Sequence, residues 1–492
     1  MMPVEIMLLP QWFPFHLSKM SFWARVTLVP LLVLCAKRPL ARNPRGVRID
    51  EIFINPPSTV GLLPRRPHQS LGWFTFFRFA DASLRVLDPF SPKFLRQRAI
   101  DAAVKFVDER LNGEDGLGAA FPSILYSMIM YDVLGNYPSR DIARSALDKL
   151  LFNRIDEAYC QVVLSPVWDT ALAAQALLET RDKHALAAAR RGLEWLRPRQ
   201  VLDVRGDWTI QRPDLRPGGW AFFYACPHYP DADDTAVIVM AMQRCDPAAF
   251  AEQIARGREW VVGMQSGNGG WGAFDAENTH AYMNNIPFSD HGAMLDQPTA
   301  DVTGRCLSML AQLGESESET ARRAYGFLFK EQEKDGSWFG RWGVNYIYGT
   351  WVVLSALNAV GLAHSDSMIQ RAVKWLLSIQ NGDGGWGEDP SSYRLDYTSW
   401  EPAPSTASQT AWALLGLMAA GEIRHAGVAK GVAYLQKRRR TMGYGRGALY
   451  RTGFPRVLYL RYHGYSKYFP LMALATYRNL MGDNSVAVPF GM

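Results

Sequence analysis

One design recurs along this chain and constrains its fold more than anything else: an amphipathic helical segment, then glutamine, then a glycine-rich turn closing on tryptophan. The clear copies read REWVVGMQSGNGGWG (258–272), YGFLFKEQEKDGSWFG (325–340) and VKWLLSIQNGDGGWG (373–387). LEWLRPRQVLDVRGDWT (193–209) is a looser copy. Two more are worn: VKFVDERLNGEDGLG (104–118) carries Arg110 and Leu117 in place of Gln and Trp, and VAYLQKRRRTMGYG (432–445) carries Arg439 and Tyr444. Trp208, Trp271, Trp338 and Trp386 follow one another at intervals of 63, 67 and 48 residues. Each interval holds two helices and their turns. In this reading Gly allows the turn, Trp seals it by stacking, and Gln bonds the exposed end of the next helix. These residues are stitches between repeats and stay outside the candidate site.

A second element follows each turn: WDTALAAQALLE, DDTAVIVMAM, DVTGRCLSMLAQLG, YGTWVVLSALNAVG and SQTAWALLGLMAAG. Their apolar character runs nearly all round, which predicts inner helices packed on several sides. The segments leading into the Gln–Trp turns carry more charge and are predicted to be outer helices. Inner and outer helices alternating about six times close into an all-α, α/α toroid. All inner helices then enter from the same end, and their N-termini point at one shared cavity.

Composition excludes some function classes. With 48% apolar and 20% charged residues the chain is globular. A net charge of +6 fits an anionic membrane surface as well as nucleic acid, but no nucleic-acid-reading motif is present, so no nucleic-acid partner is expected. Five dispersed cysteines (Cys35, Cys160, Cys226, Cys245, Cys306) predict a reduced, intracellular protein without a zinc site. MMPVEIMLLP lacks the pattern of a signal peptide, and VTLVPLLVLC (26–35) is too short to span a bilayer. If the chain meets a membrane there, it lies on it.

The chemistry concentrates in YPDADDTAVIVMAM (229–242). Asp231 is a good N-cap, and Asp233 and Asp234 in the first turn suit the helix dipole. Three buried carboxylates in one turn do not all ionise comfortably, so one is expected to keep its proton and serve as a general acid. Aromatic runs at GGWAFFYACPHY (218–229), SPVWDT (165–170), RWGVNYIYGTW (341–351) and GFPRVLYLRYHGYSKYF (453–469) abut inner-helix starts. Aromatic faces stabilise cations without attacking them. An acid beside a dry aromatic chamber suits protonation of an alkene and escort of the resulting carbocation. An ordinary aromatic core is the competing reading for each ring taken singly. DADDT has Val237 where a diphosphate-binding motif would place a further Asp, so neither metal nor cofactor is expected.

DxDDTA, the Gln–Trp repeats, GRWGVNYIYGT and SPVWDT together resemble the squalene–hopene cyclases across essentially the whole chain. The resemblance implies the double α-barrel of triterpene cyclases, squalene as the apolar substrate, and cyclisation to pentacyclic hopene or hopanol. Oxidosqualene cyclases carry Cys where Asp234 stands, which favours squalene itself. By the same resemblance Asp233 is the proton donor, with Asp231 and Asp234 supporting it and Tyr348 nearby. Phe222, Phe274, Trp342 and Phe454 hold the growing cation. Tyr462 and Tyr465 line the cavity late in the cascade. Trp168, Asp169 and Asp301 belong to its wall, and Trp23 contacts substrate. Arg305 stands where relatives often have His. It could neutralise Asp231 and Asp234 and leave Asp233 protonated, or it could hold Asp233 as an anion. Phe274 replaces a common Tyr, Leu458 a usual Phe, and GLGAAFPS (116–123) a Gln-containing cavity segment.

The expected division is a catalytic barrel at 155–492 and an incomplete second barrel at 1–154. The opening stretch lies well inside such relatives, so a misassigned or truncated start is expected. Leu71–Leu87, with Trp73, Phe74, Phe76, Phe77 and Phe79 flanked by Arg65, Arg66, Arg78 and Arg85, fits an interfacial helix and an ordinary core helix equally by pattern, and the resemblance favours the interfacial one. The resemblance implies monotopic insertion at the cytoplasmic face of a bacterial inner membrane, and a homodimer is compatible with it. A non-catalytic lipid-binding or scaffolding toroid is the alternative. A prenyltransferase subunit would need zinc ligands that the sequence lacks, and a glycosidase would need separated carboxylates in a polar groove.

Overall fold

The computed structural model describes residues 2–40, 43–54, 56, 64–287, 291–394, 399–442, 451–454, 456 and 458–492. Tyr444 lies outside them, and so does the side chain of Phe454. The chain forms two units: Met1–Tyr159 with His280–Met294, and Cys160–Thr279 with Leu295–Met492.

In the smaller unit, α1 (Phe22–Lys37) packs on α3 (Lys93–Asp108) and α4 (Phe121–Leu134), and α4 packs on α5 (Tyr137–Asp148). Ser21 caps α1 by accepting the Ala24 N–H. Between α1 and α3 lies α2 (Leu71–Leu87), capped by Ser70 and without a single buried residue.

The larger unit is a closed ring. Its inner helices are α6 (Pro166–Glu179), α8 (Ala232–Cys245), α10 (Ala300–Gln312), α12 (Tyr346–Ala359), α14 (Ala407–Ala419) and α16 (Tyr465–Gly482). Each packs on the next, and α16 returns to α6. Their composition explains this position: every residue of α8 from Ala232 to Met242, and of α12 from Tyr346 to Leu357, is buried. Outside run α7 (Lys183–Leu196), α9 (Ala251–Gly263), α11 (Glu319–Lys330), α13 (Ser367–Ser378) and α15 (Ala426–Met442), each against the inner helix it follows. These five bury one stripe and solvate the other. This is the α/α toroid expected from the repeats.

The Gln–Trp turn has one geometry throughout. The Gln side-chain amide donates to a carbonyl in its own turn and to one in the first turn of the next outer helix. Gln265 reaches Gly269 O and Thr320 O, Gln332 reaches Gly336 O and Met368 O, and Gln380 reaches Gly384 O and Gly427 O. Each Trp indole N–H returns to the preceding outer helix: Trp271 to Val261 O, Trp338 to Leu328 O, Trp386 to Leu376 O. Each Trp backbone N–H donates to the Thr of the coming inner helix: Thr303, Thr350 and Thr410. That is the physical reason for the recurring Thr. Gly336 sits at φ +102°, and a Cβ there would lie 2.7 Å from the Arg371 backbone.

This geometry corrects the looser repeat. Trp220 fills the slot assigned above to Trp208: its indole donates to Leu196 O and its backbone N–H to Thr235 Oγ1. Gln200 bonds Gly218 O and Gln253 O, completing the same pattern. The turn simply carries a long insertion. Trp208 lies within that insertion and packs edge-on against Trp260.

Candidate active site

A short antiparallel strand pair, Trp220–Ala221 with Pro230–Asp231, delivers the acidic cluster to the start of α8. Asp231 is the N-cap: its Oδ1 accepts the N–H groups of Asp233 (2.7 Å) and Asp234 (3.2 Å). The capping and acid readings are therefore divided between residues. Asp231 is committed to the helix terminus, and Asp233 is turned toward the neighbouring helix. Asp231, Asp233 and Asp234 are all buried. The Ala232 N–H is taken by Ala273 O, which ties the cluster to the loop carrying Phe274.

Arg305, in the second turn of α10, is fully buried and faces Asp233, with Nε 3.6 Å from its Oδ1. Nη2 reaches the Tyr348 hydroxyl at 3.5 Å, and the guanidinium lies 4.5 Å over the Trp351 ring. The guanidinium of Arg305 thus faces the Asp233 carboxylate. Burial raises the Tyr348 hydroxyl above its ordinary range, so it stays protonated. The Cys306 thiol, beside the same carboxylates, is likewise raised, first by burial and then by the charges of Asp233 and Asp231.

From Tyr348 a string of rings runs round the inner helices. Tyr348 meets Trp351 and Trp412 edge-on, Trp351 stacks parallel to Trp412, and Phe469 lies edge-on to both Trp351 and Trp412. Trp412 meets Tyr465, which stacks on Tyr462 at 4.8 Å, and Tyr462 meets Phe222. The Trp168 indole donates to the Tyr465 hydroxyl at 2.8 Å, closing the string onto α6. These contacts join N-terminal turns to N-terminal turns, so the six inner helices are parallel and present their starts at one end.

The other residues expected at the site are held by hydrogen bonds and ring contacts. Asp169, half-buried, accepts from Ser165 Oγ and the Tyr468 hydroxyl. Asp301 accepts from Thr299 Oγ1 and Val302 N with Oδ1, and from Trp342 N with Oδ2. Trp342 in turn meets Phe274 edge-on at 5.9 Å. Asp301 sits one turn before Arg305 on α10, so this pair adjoins the acid. Trp23 belongs to the smaller unit, where its indole donates to Ala293 O.

Some residues of this neighbourhood escaped the sequence reading. Trp412 was not among the quoted aromatic runs, although it stands two places after the recurring Thr410, much as Trp351, which ends the run 341–351, stands one place after Thr350. Glu388 is fully buried and caps α12 from outside, accepting the N–H groups of Asn345, Tyr346 and Ile347. Burial pushes its carboxyl up to about 7 against those three donors. Asp296 accepts from Ala273, Phe274 and Asp275 N–H groups, and burial followed by the Asp275 charge pushes it up to about 7. Buried Arg341 lies over Trp342 and is lowered to about 10 by desolvation. Among the described residues no group of three or more His, Cys, Asp or Glu is placed to hold a metal ion.

Fold and site together define an α/α-toroid protein with a buried carboxylate cluster beside a string of packed aromatic rings. Residues 1–157 match the family model of the squalene–hopene cyclase N-terminal domain, and residues 164–479 that of the C-terminal domain. The squalene–hopene cyclase of Bradyrhizobium diazoefficiens is 58% identical over 501 residues, covering 100% of this chain and 76% of that protein. That of Zymomonas mobilis is 55% identical over 507 residues, with the same coverage. The chain belongs to the squalene–hopene cyclase family and spans about three quarters of the length of these relatives. Nothing in these matches supports the alternative of a non-catalytic toroid. Among solved structures, the type II terpene cyclase MstE from Scytonema aligns with a TM-score of 0.46 at 19% identity, over 67% of this chain and 92% of that one.

Proposed function

We propose that this protein is an isomerase that cyclises squalene, with Asp233 as the proton donor. The observation that carries the reading is the buried cluster of Asp231, Asp233 and Asp234 at the start of α8, set beside a continuous aromatic string. Asp233 gives its proton to a terminal alkene. The π electrons form the new C–H bond and leave a tertiary cation, which the next alkene attacks. Successive alkenes close the rings, and the cascade ends when a proton is lost to give hopene or water is captured to give hopanol. The guanidinium of Arg305 stabilises the carboxylate left on Asp233 while the cation is made, in a site where water does not screen the charge. The rings of Phe222, Phe274, Trp342, Tyr462 and Tyr465 stabilise successive cations through their faces. Phe454 is assigned the same role on the family pattern alone. Asp231 and Asp234 add negative charge that favours retention of the Asp233 proton between turnovers.

Substrate access is part of the same reading. Trp73, Phe76 and Phe79 on α2 are exposed, Phe79 by 74%, and the neighbouring Leu87, Phe90 and Phe94 are exposed as well. No helix among the described residues is long and apolar enough to cross a membrane. We assign this surface to the lipid interface at the cytoplasmic face of a bacterial inner membrane, from which squalene enters. The test of the function is Asp233→Asn incubated with squalene in detergent micelles. The variant stays folded and makes no cyclised product; an active, folded Asp233→Asn protein overturns the assignment of the acid.

A further inference from the structure

The segment that follows α16 crosses the C-terminal ends of the inner helices at the surface, and its Gly491 and Met492 are buried. The Asn358 amide, near the end of α12, donates to Val488 O at 2.9 Å. The Phe490 ring lies 4.0 Å from the Arg244 guanidinium at the end of α8, and Arg244 is itself held by Glu179 and Gln175 of α6. Gly491 N donates to Gln312 Oε1, and a Cβ on Gly491 would sit 2.7 Å from Ser308 Cβ and 3.2 Å from Met240 Sδ. Met492 is buried, and its Sδ accepts from Arg305 Nη1. The partners on α10 thus climb from Gln312 through Ser308 to Arg305. The segment enters at the C-terminal ends of the inner helices and reaches the acid site from beneath.

The three nitrogens of the Arg305 guanidinium thus face three different groups: Nη1 and Nη2 donate hydrogen bonds, and Nε makes an ionic contact without one. Nε faces Asp233, Nη2 faces Tyr348, and Nη1 faces Met492. Trp351 covers the flat face. An arginine side chain has several rotatable bonds and about 2 kcal/mol of rotamer entropy, so its head stays in place only when stops surround it. Asp233 and Tyr348 act on one side; Met492 is the stop on the other.

We infer that Met492 is a positioning residue for proton transfer: it holds the Arg305 guanidinium against Asp233 from inside the ring. The inference rests on Asp233 being the acid. Shortening Met492 lets the guanidinium retreat, which weakens stabilisation of the carboxylate formed in the first step. Displacing a group that acts on the reacting centre by about 1 Å can cost as much as ~10²-fold in rate. The protonated form of Asp233 then also persists to higher pH. Of the other titratable groups around it, Asp231, Asp234 and Asp301 are unchanged by the substitution. Cys306 and Tyr348 keep their protons, since burial raises both.

The experiment is the series Met492→Leu, Met492→Val and Met492→Ala in the whole chain, assayed with squalene in micelles across pH and normalised to folded protein. Leu, close in volume, keeps kcat near wild type. Ala lowers kcat about tenfold at unchanged KM and moves the alkaline limb of the kcat profile upward; Val falls between, and it carries the test if Ala does not fold. Wild-type kcat in the shortened variants, a loss confined to KM, or a fall in kcat with the alkaline limb unmoved would overturn the inference. An inactive Asp233→Asn beside a fully active Met492→Ala removes only this inference; an active Asp233→Asn removes the acid assignment itself.

Discussion

Replacing Arg305 by Met removes the charge beside Asp233 and keeps most of the volume that packs on Trp351. At the 3.6 Å separation of Nε and Oδ1, an effective dielectric of 20 gives an attraction of about 4–5 kcal/mol. This bounds the effect from above, because desolvation of the guanidinium opposes it. If about half of the bound is felt in the transition state of proton transfer, the plateau kcat falls roughly 50-fold. The carboxyl also holds its proton more tightly, so the alkaline limb of the profile moves up. The assay is initial rate of product formation from squalene in detergent micelles at saturating substrate, followed from the plateau through the alkaline limb. The comparison must be made on the plateau, where the resting acid is protonated in both proteins. A plateau kcat equal to or above wild type would refute the reasoning: it would mean that Arg305 holds Asp233 as an idle anion, and that removing it frees the acid.

Three further outcomes follow from the same structure. Glu388 titrates near 7 in the folded protein against an ordinary 4.5, so the native state binds more protons across that window and stability falls as pH rises through it, by on the order of 3 kcal/mol. Glu388→Gln flattens that decline in Tm measured against pH, while Asp296, shifted the same way, leaves part of it. Tyr465→Phe takes away the acceptor of the Trp168 indole and destabilises by about 1–3 kcal/mol in denaturant melts. Phe79→Glu on α2 lowers partition onto anionic lipid vesicles by about tenfold or more, since burying a Phe side chain is worth about 1.5–3 kcal/mol; unchanged sedimentation with vesicles would remove α2 from the interface.

Much of the ring was legible because its causes are local and repeated. A helix apolar all round must be inner, and a Gly–Trp turn with a fixed partner set recurs wherever Gln, Gly and Thr keep their spacing. The misassignment of Trp208 shows the limit: an insertion displaced the true partner, Trp220, and only the bond to Leu196 O tells the two apart. The acid cluster was legible as a capped helix start, and the N-cap role of Asp231 was predictable from its side chain. The direction in which Arg305 would act was not, because two carboxylate targets were open and the choice depends on the crossing of α8 and α10. Glu388 was invisible for a similar reason. It caps a helix that begins 42 residues earlier in the chain, and no local pattern links it to Tyr346. The support of Arg305 by Met492 joins residues 187 apart, so it exists only in the closed ring.

The most direct test of the central claim is a turnover of squalene in D2O. Asp233 must recover its proton from solvent before each cycle, so every cyclised molecule gains one carbon-bound deuterium at the carbon protonated first. Mass spectrometry and NMR of the pentacyclic product read both its number and its position. One deuterium on the first ring's methylene carbon, next to the carbon that bears the two methyl groups, is the predicted result. Product carrying no carbon-bound deuterium would mean that the cascade does not begin with a proton from the enzyme.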